Sequence, residues 1–248
     1  MTSTHFDLSG KTALITGGSR GLGLEMAKAF AGLGCNIAIA SRKADACEEA
    51  AAQIRKLGRK ATAHPCHVGQ WSALEPLVDD VYRQMGRIDI LVNNAGMSPL
   101  APSSRDTSEE LFDKIIGVNF KGPYRLTALA APRMIESGGG TIINISSTGA
   151  IRPHPRFIPY AGAKAALNAI TKGFAREYTP TVRVNAIMAG PFLTDIAKAW
   201  EPEAREKSDN ILGRPGKPHE IVTAALYLAS PASSFVTGSV INCDGGVL

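Results

Sequence analysis

No run of like charge, no paired-cysteine motif and no long apolar stretch occurs in this chain of 248 residues, and each absence excludes a class of function. Lys and Arg outnumber Asp and Glu by 27 to 22, but the surplus is dispersed. Nothing tracks a phosphate backbone, so no nucleic-acid role is expected. The four cysteines, Cys35, Cys47, Cys66 and Cys243, fall at no C-x-x-C or other metal-ligand spacing. No metal site is expected, and the thiols read as buried, reduced and inert. No apolar stretch reaches the roughly 20 residues that a membrane span needs. Met1 to Asp7 has neither the basic nor the apolar part of a signal peptide. The expected setting is the cytoplasm, without a membrane partner. No linker, low-complexity stretch or repeat divides the chain, so one domain over residues 1–248 is expected.

What is present is alternation. Short β-rich apolar runs at Thr12–Thr16, Asn36–Ser41, Lys60–His64, Ile88–Val92, Thr141–Ile145, Val182–Ile187 and Val240–Asn242 predict strands. Amphipathic stretches separate them: Leu22–Leu33, Ala44–Leu57, Trp71–Met85, Ser108–Ile135 and Tyr160–Glu177. Ala13-Leu14-Ile15, Ile37-Ala38-Ile39 and Ile142-Ile143 are apolar without strict alternation, as in strands buried on both faces. The pattern predicts an α/β fold, a doubly wound (Rossmann), mostly parallel seven-stranded sheet with helices on both faces. Met188–Pro218, rich in Pro and Gly around a helical patch at Asp195–Trp200, predicts a lid or binding loop.

The first predicted strand runs into Thr16-Gly17-Gly18-Ser19-Arg20-Gly21-Leu22-Gly23 and then a helix. Glycines in that context allow a tight turn and let the backbone approach a pyrophosphate at the positive helix N-terminus. The same residues contain a Gly-x-Ser-x-Gly match, the nucleophile-elbow pattern of hydrolases, with His219 and Asp195 as conceivable partners. In hydrolases the elbow follows several strands, and here it follows only the first, so that reading is rejected. The second strand ends at Ser41-Arg42, where an NAD-binding protein carries an acid for the ribose hydroxyls. Arg42, with Ser41 and Arg20, instead suits a 2′-phosphate, which favours NADP(H) over NAD(H). The plainer alternative is a solvated arginine at a strand end.

Further along, Thr141-Ile142-Ile143-Asn144-Ile145 leads into Ser146-Ser147, and Tyr160-Ala161-Gly162-Ala163-Lys164 opens a helix. Tyr160 and Lys164 lie one turn apart on one face. A nearby ammonium stabilises a phenolate, whose ordinary pKa is about 10, and so suits the tyrosine to general acid–base work. Alone, such a pair more often means a half-buried aromatic beside a solvated lysine. Its company decides. With the glycine turn, Asn93-Asn94-Ala95-Gly96, Val118-Asn119-Phe120, Ser147 and a closing Asp244-Gly245-Gly246, the chain resembles the short-chain dehydrogenase/reductase family along nearly its whole length.

That resemblance implies a mechanism. Ser147 hydrogen-bonds the substrate oxygen, Tyr160 transfers the proton, and Lys164 binds the nicotinamide ribose and lowers the Tyr160 pKa. Asn119 holds a water that connects Lys164 to solvent. The implied cofactor contacts are Gly17, Ser19, Arg20, Gly21, Leu22, Gly23, Ser41, Arg42, His67, Val68, Asn93, Ala95, Gly96, Tyr160, Lys164, Gly190, Phe192 and Thr194. Two departures stand out. His67 replaces the family's aspartate, and its neutral ring is expected to accept the adenine amine's hydrogen bond. Ala189-Gly190 replaces Pro-Gly, with Pro191 following, while Thr194 is expected on the carboxamide. Met97–Leu100, Thr148–Pro159 and Phe192–Leu212 are expected to line the substrate pocket. His154 and Trp200 are the substrate-contact candidates within it. A 3-oxoacyl-carrier-protein reductase, a sugar dehydrogenase similar to gluconate 5-dehydrogenases and a reductase of apolar ketones all stay open, as does a non-catalytic NADP(H) sensor. The resemblance also implies a homotetramer.

Overall fold

A computed structural model describes residues 6–195, 197 and 200–247. Seven strands form one sheet: β1 (Thr12–Thr16), β2 (Asn36–Ser41), β3 (Ala61–Pro65), β4 (Ile90–Asn93), β5 (Gly140–Ser147), β6 (Val182–Ala189) and β7 (Val240–Cys243). Their order is β3-β2-β1-β4-β5-β6-β7, and every neighbouring pair is parallel. The chain order reverses between β1 and β4, which opens a crevice beyond the carboxyl ends of the strands.

Each strand feeds both faces of the sheet. Ala13, Ile15, Ile37, Ile39, Ile90 and Val92 pack on one side, with α1 (Gly21–Gly32), α2 (Ala44–Lys56) and α7 (Val222–Ala229). Leu14, Ala38, Ala40, Leu91 and Ile142 pack on the other, with α3 (Leu74–Met85), α5 (Gly122–Glu136) and α6 (Ile158–Tyr178). Alternate residues therefore face opposite cores, and both sets must be apolar.

The differences from expectation have physical causes. β5 and β6 run on to Ser147 and Ala189, in register throughout from Gly140↔Val182 to Ser147↔Ala189. The two serines resemble turn residues, but strand pairing carries them to the sheet edge. Ser108–Ile135, expected as one helix, is α4 (Glu109–Ile116), a π-turn at Gly117–Lys121 and then α5. Ser108 caps α4 by accepting from Leu111 N. Helix α7 had no periodic signal because Val-Thr-Ala-Ala-Leu-Tyr-Leu-Ala is apolar on nearly every side. Of the expected patch Asp195–Trp200, residues Ile196, Lys198 and Ala199 lie outside the described residues.

One polar chain crosses the core. Asn93 Nδ2 donates to Asn144 Oδ1 at 2.9 Å, Asn144 Nδ2 donates to Thr171 Oγ1 at 2.9 Å, and Thr171 Oγ1 donates to Leu167 O at 2.8 Å. All three side chains are buried, so β4, β5 and α6 are tied by bonds that water cannot replace. Asn144→Ala removes one buried hydrogen bond from each of Asn93 and Thr171 and is expected to lower unfolding free energy by about 2–3 kcal/mol. Urea denaturation checks this; an unchanged midpoint would show that the chain of bonds contributes nothing net.

Candidate active site

The crevice is built first by a clip between β1 and β4. Thr16 Oγ1 donates to Val92 O at 3.2 Å and accepts from Asn94 N and Ala95 N at 3.0 and 3.1 Å. Asn94 Nδ2 donates to Thr16 O and Gly17 O at 2.9 and 3.2 Å. These bonds hold the glycine turn against the end of β4. Gly17 takes φ +63°, which favours glycine, and a Cβ on Gly23 would lie 2.4 Å from Gly17 O. Helix α1 begins directly beyond this turn, with no side-chain cap and no acid in its first turn. Its positive end and uncapped N–H groups fit a dinucleotide's pyrophosphate.

On the ribose side, Ser19 Oγ donates to Ser41 Oγ at 3.0 Å, and exposed Arg42 has no ion pair among the described residues. Arg20 is 3.0 Å from Asp195, so it ties the glycine turn to the segment after β6. Thr194 sits beside it, 3.5 Å from where a Cβ on Gly21 would lie. The hydrolase alternative has no geometry. Ser19 bonds Ser41, Asp195 pairs with Arg20, and His219 lies across α1 with Lys28 and Lys56.

Three expectations are revised here. Asn93 turns its amide into the core, towards Asn144 and Thr127, so its side chain does not reach the crevice; the neighbouring Asn94 does the steadying. His67 Nδ1 accepts from Gly69 N at 3.1 Å, which leaves the neutral ring's proton on Nε2. Nε2 is then a donor, opposite to the expected acceptor. Phe192 is buried against Gly216 and the core rather than lining a pocket. Val68 is buried within the core that packs against α3 and α5. Missing the family proline does not leave the turn loose. Gly190 N donates to Cys243 O at 3.0 Å and Gly216 N to Pro191 O at 2.8 Å.

Ser147, Tyr160 and Lys164 come together at the end of β5. Ser147 Oγ accepts from Gly149 N at 3.1 Å and hydrogen-bonds the Tyr160 hydroxyl. Lys164 Nζ donates to Ile145 O at 2.7 Å and lies 5.7 Å from the Tyr160 ring centroid. The point where a Cβ on Gly96 would sit is 3.1 Å from Asn119 Oδ1 and 3.7 Å from Lys164 Nζ, so four sequence-distant segments converge. Asn119, in the π-turn, donates to Met97 O and Ile115 O and accepts from Met97 N. Its side chain pins the loop after β4. His154 is exposed and stacks on Phe157, which meets Tyr160 edge-on. Trp200 is half-buried, and its carbonyl accepts from the Arg205 guanidinium.

Desolvation pushes the Tyr160 phenol above its ordinary value, and the Ser147 hydrogen bond opposes this only in part. The Lys164 ammonium is bonded to Ile145 O, and burial drops its own pKa to about 8. Among the described residues no group of acidic, histidine or cysteine side chains is placed to hold a metal. No helix among them is long and apolar enough to cross a membrane.

A dinucleotide crevice bordered by a serine, a tyrosine and a lysine defines a nicotinamide-dependent oxidoreductase. Comparison with known proteins makes the assignment specific. Residues 17–248 match the family model described as enoyl-(acyl carrier protein) reductase. Bovine (Bos taurus) dehydrogenase/reductase SDR family member 4 is 36% identical over 246 residues, covering 97% of this chain and 88% of that protein. The structure of a 7α-hydroxysteroid dehydrogenase with NADH and 7-oxo glycochenodeoxycholic acid superposes with a TM-score of 0.95 at 34% identity, covering 100% of this chain and 98% of that one. NADPH-dependent 3-quinuclidinone reductase from Rhodotorula rubra gives 0.90 at 30%, covering 98% and 92%. The chain belongs to the short-chain dehydrogenase/reductase family and is an oxidoreductase of alcohols and ketones that binds a nicotinamide cofactor.

The buried lysine yields a stability prediction. Its pKa of about 8 lies below the ordinary 10.5, so between those values the unfolded chain holds more protons than the native one. The destabilisation is complete below pH 8 and fades as pH rises to 10.5. Lys164→Met is therefore expected to raise Tm at pH 7 by about 2–4 °C, with the gain shrinking at pH 10. Calorimetry at both values checks it, and a lower Tm at pH 7 would refute the assignment of a costly buried charge.

Proposed function

We propose that this protein is an NADP(H)-dependent ketone reductase in which Tyr160 is the general acid. The observation carrying the reading is the place of Tyr160: its ring lies 5.7 Å from Lys164 Nζ, its hydroxyl has Ser147 as partner, and burial raises the phenol further above neutral pH. A protonated phenol is the form required to donate to an oxygen that becomes an alkoxide. Ser147 orients the carbonyl, and the two hydroxyls together supply hydrogen bonds where negative charge develops. Lys164 anchors the nicotinamide ribose, while Asn119 holds Met97 and so the near wall of the pocket. The cofactor, when bound, supplies the hydride. In the reverse direction Tyr160 must act as the phenolate, a form that its raised pKa makes scarcer near neutral pH.

NADP(H) is proposed over NAD(H) because Arg42 stands uncompensated beside Ser41 and Ser19, with no acid at that strand end to repel a 2′-phosphate. Arg20, held by Asp195, serves instead to fasten the segment over about residues 188–218 above the crevice as a lid. The whole chain is read as one domain, assembled as a homotetramer in the cytoplasm. A regulator that only binds cofactor has no use for Ser147 against Tyr160, which disfavours the sensor.

The first experiment is NADPH and NADH oxidation with a panel of β-ketoesters, aryl ketones, keto-sugars and an acyl-thioester mimic. Tyr160→Phe is expected to lower turnover by about 10²–10⁴-fold. Fluorescence titration of NADPH should show its affinity little changed; equal turnover by the variant would remove Tyr160 from the chemistry. Arg42→Ala is expected to weaken NADPH about 10- to 100-fold, with NADH affinity nearly unaffected. A wild-type preference for NADH would reverse the cofactor assignment and leave the fold and proton transfer standing.

A further inference from the structure

We propose that the substrate ketone carries a carboxylate on an apolar body, and that Arg152 and Arg156 at the mouth of the site receive it. The inference rests on the reading of Ser147 and Tyr160 as the reacting end.

Two loops wall the mouth, residues 94–108 after β4 and 148–157 after β5, and Ala101 N joins them by donating to Arg156 O at 2.9 Å. They contain Arg105, Arg152 and Arg156 against one carboxylate, Asp106, which is occupied by Ser103. All three arginines are exposed, and no ion pair among the described residues reaches them. Elsewhere several arginines are neutralised, although Arg42, Arg59 and Arg176 have no ion pair among the described residues. Arg55, Arg83, Arg125, Arg133 and Arg214 each pair with an acid. Glu201, Glu203 and Glu206, after β6, are exposed and pair with none of the three mouth arginines.

The cations are close to the chemistry. The loop holding Arg152 and Arg156 is stitched to Tyr160 by two ring contacts, His154 to Phe157 at 5.5 Å and Phe157 to Tyr160 at 6.0 Å. On the same loops Leu100 and Ile151 are 46% and 58% exposed, and Ile158, at the start of α6, is 48% exposed. An apolar wall edged by guanidinium groups matches a molecule with an apolar body and an anionic end. The cofactor's phosphates do not explain these charges. They are expected at the ends of β1 and β2, and β2 stands three strands from β5, roughly 14 Å across the sheet. Planar guanidinium forks select a carboxylate by paired hydrogen bonds.

The test uses one apolar aryl ketone in two forms, a free carboxylic acid and its methyl ester, with full-length protein and saturating NADPH. Wild type is expected to show kcat/KM for the acid about fivefold or more above the ester, through KM, with the gap closing as salt is added. In an Arg152→Ala/Arg156→Ala double variant the acid-to-ester ratio should fall to near unity. A wild-type ratio near unity, or a ratio that survives the double substitution, overturns the proposal while leaving the reductase reading intact. Oxidation of NADPH with no ketone of either form, nor with any neutral ketone, would instead remove the reductase reading on which the proposal stands.

Discussion

The Thr16 hydroxyl and the Asn94 amide bind the end of β1 to the end of β4, and the crevice exists because they do. A parallel sheet leaves its strand ends splayed where the chain order reverses, and backbone groups there have no ladder partners. Here Thr16 takes up three of them and Asn94 two more. The glycine turn is thereby fixed before any ligand arrives, and the start of α1 is left uncapped and facing outward. The same β4 end passes directly into Gly96 and Met97, and Asn119 from the π-turn grips Met97 on both backbone atoms. One polar clip thus sets the positions of the phosphate cradle and of the wall beside Lys164.

Inside that frame the fold accepts an expensive arrangement. Lys164 is a charged side chain almost wholly buried on α6, and Tyr160 one turn earlier is desolvated as well. Burying Lys164 costs stability because it disfavours the charged form, whereas Tyr160 stays neutral near neutral pH and carries no such cost. What holds them is the surrounding structure: Ile145 O for the ammonium, Ser147 for the phenol, and the Asn93–Asn144–Thr171 chain one layer deeper. That chain ties α6 to the sheet, so the helix cannot shift to hydrate Lys164 without breaking buried hydrogen bonds. On the proposed reading, pre-organisation of proton donor and positioning cation is the return for burying that charge.

Sequence pattern revealed the sheet more fully than the side-chain geometry of the site. β1 and β2 were legible to the residue because strands buried on both faces carry continuous apolar runs. α7 was not, because a helix without a polar face has no period. Local spacing identified Tyr160 and Lys164, but it was silent on where Lys164 sends its proton, which depends on Ile145 O across a sheet–helix contact. Asn93 and Asn94 show the limit most clearly. Adjacent and identical, they point to opposite sides of the strand end, one into the core and one into the crevice, and only strand register distinguishes them. The polarity of His67 likewise hinges on Gly69 N, a local bond that an unfolded string of letters does not display.

Similarity across the family stops short of the substrate for a physical reason. A steroid dehydrogenase and a quinuclidinone reductase superpose on this chain at TM-scores of 0.95 and 0.90, so the backbone that positions serine, tyrosine and lysine tolerates very different ligands. Ligand choice must then reside where the backbone leaves side chains unconstrained, in the loops after β4, β5 and β6. In this chain those loops are not electrically uniform. The two that meet at Ala101 and Arg156 hold three arginines against one acid, whereas in the segment after β6 the acids Asp195, Glu201, Glu203, Glu206 and Asp209 are balanced by Lys198, Arg205, Lys207, Arg214 and Lys217. A surplus of one sign on one side of an opening creates a field there, and a field draws in the end of a ligand that carries the opposite sign while leaving its apolar body for the hydroxyls below.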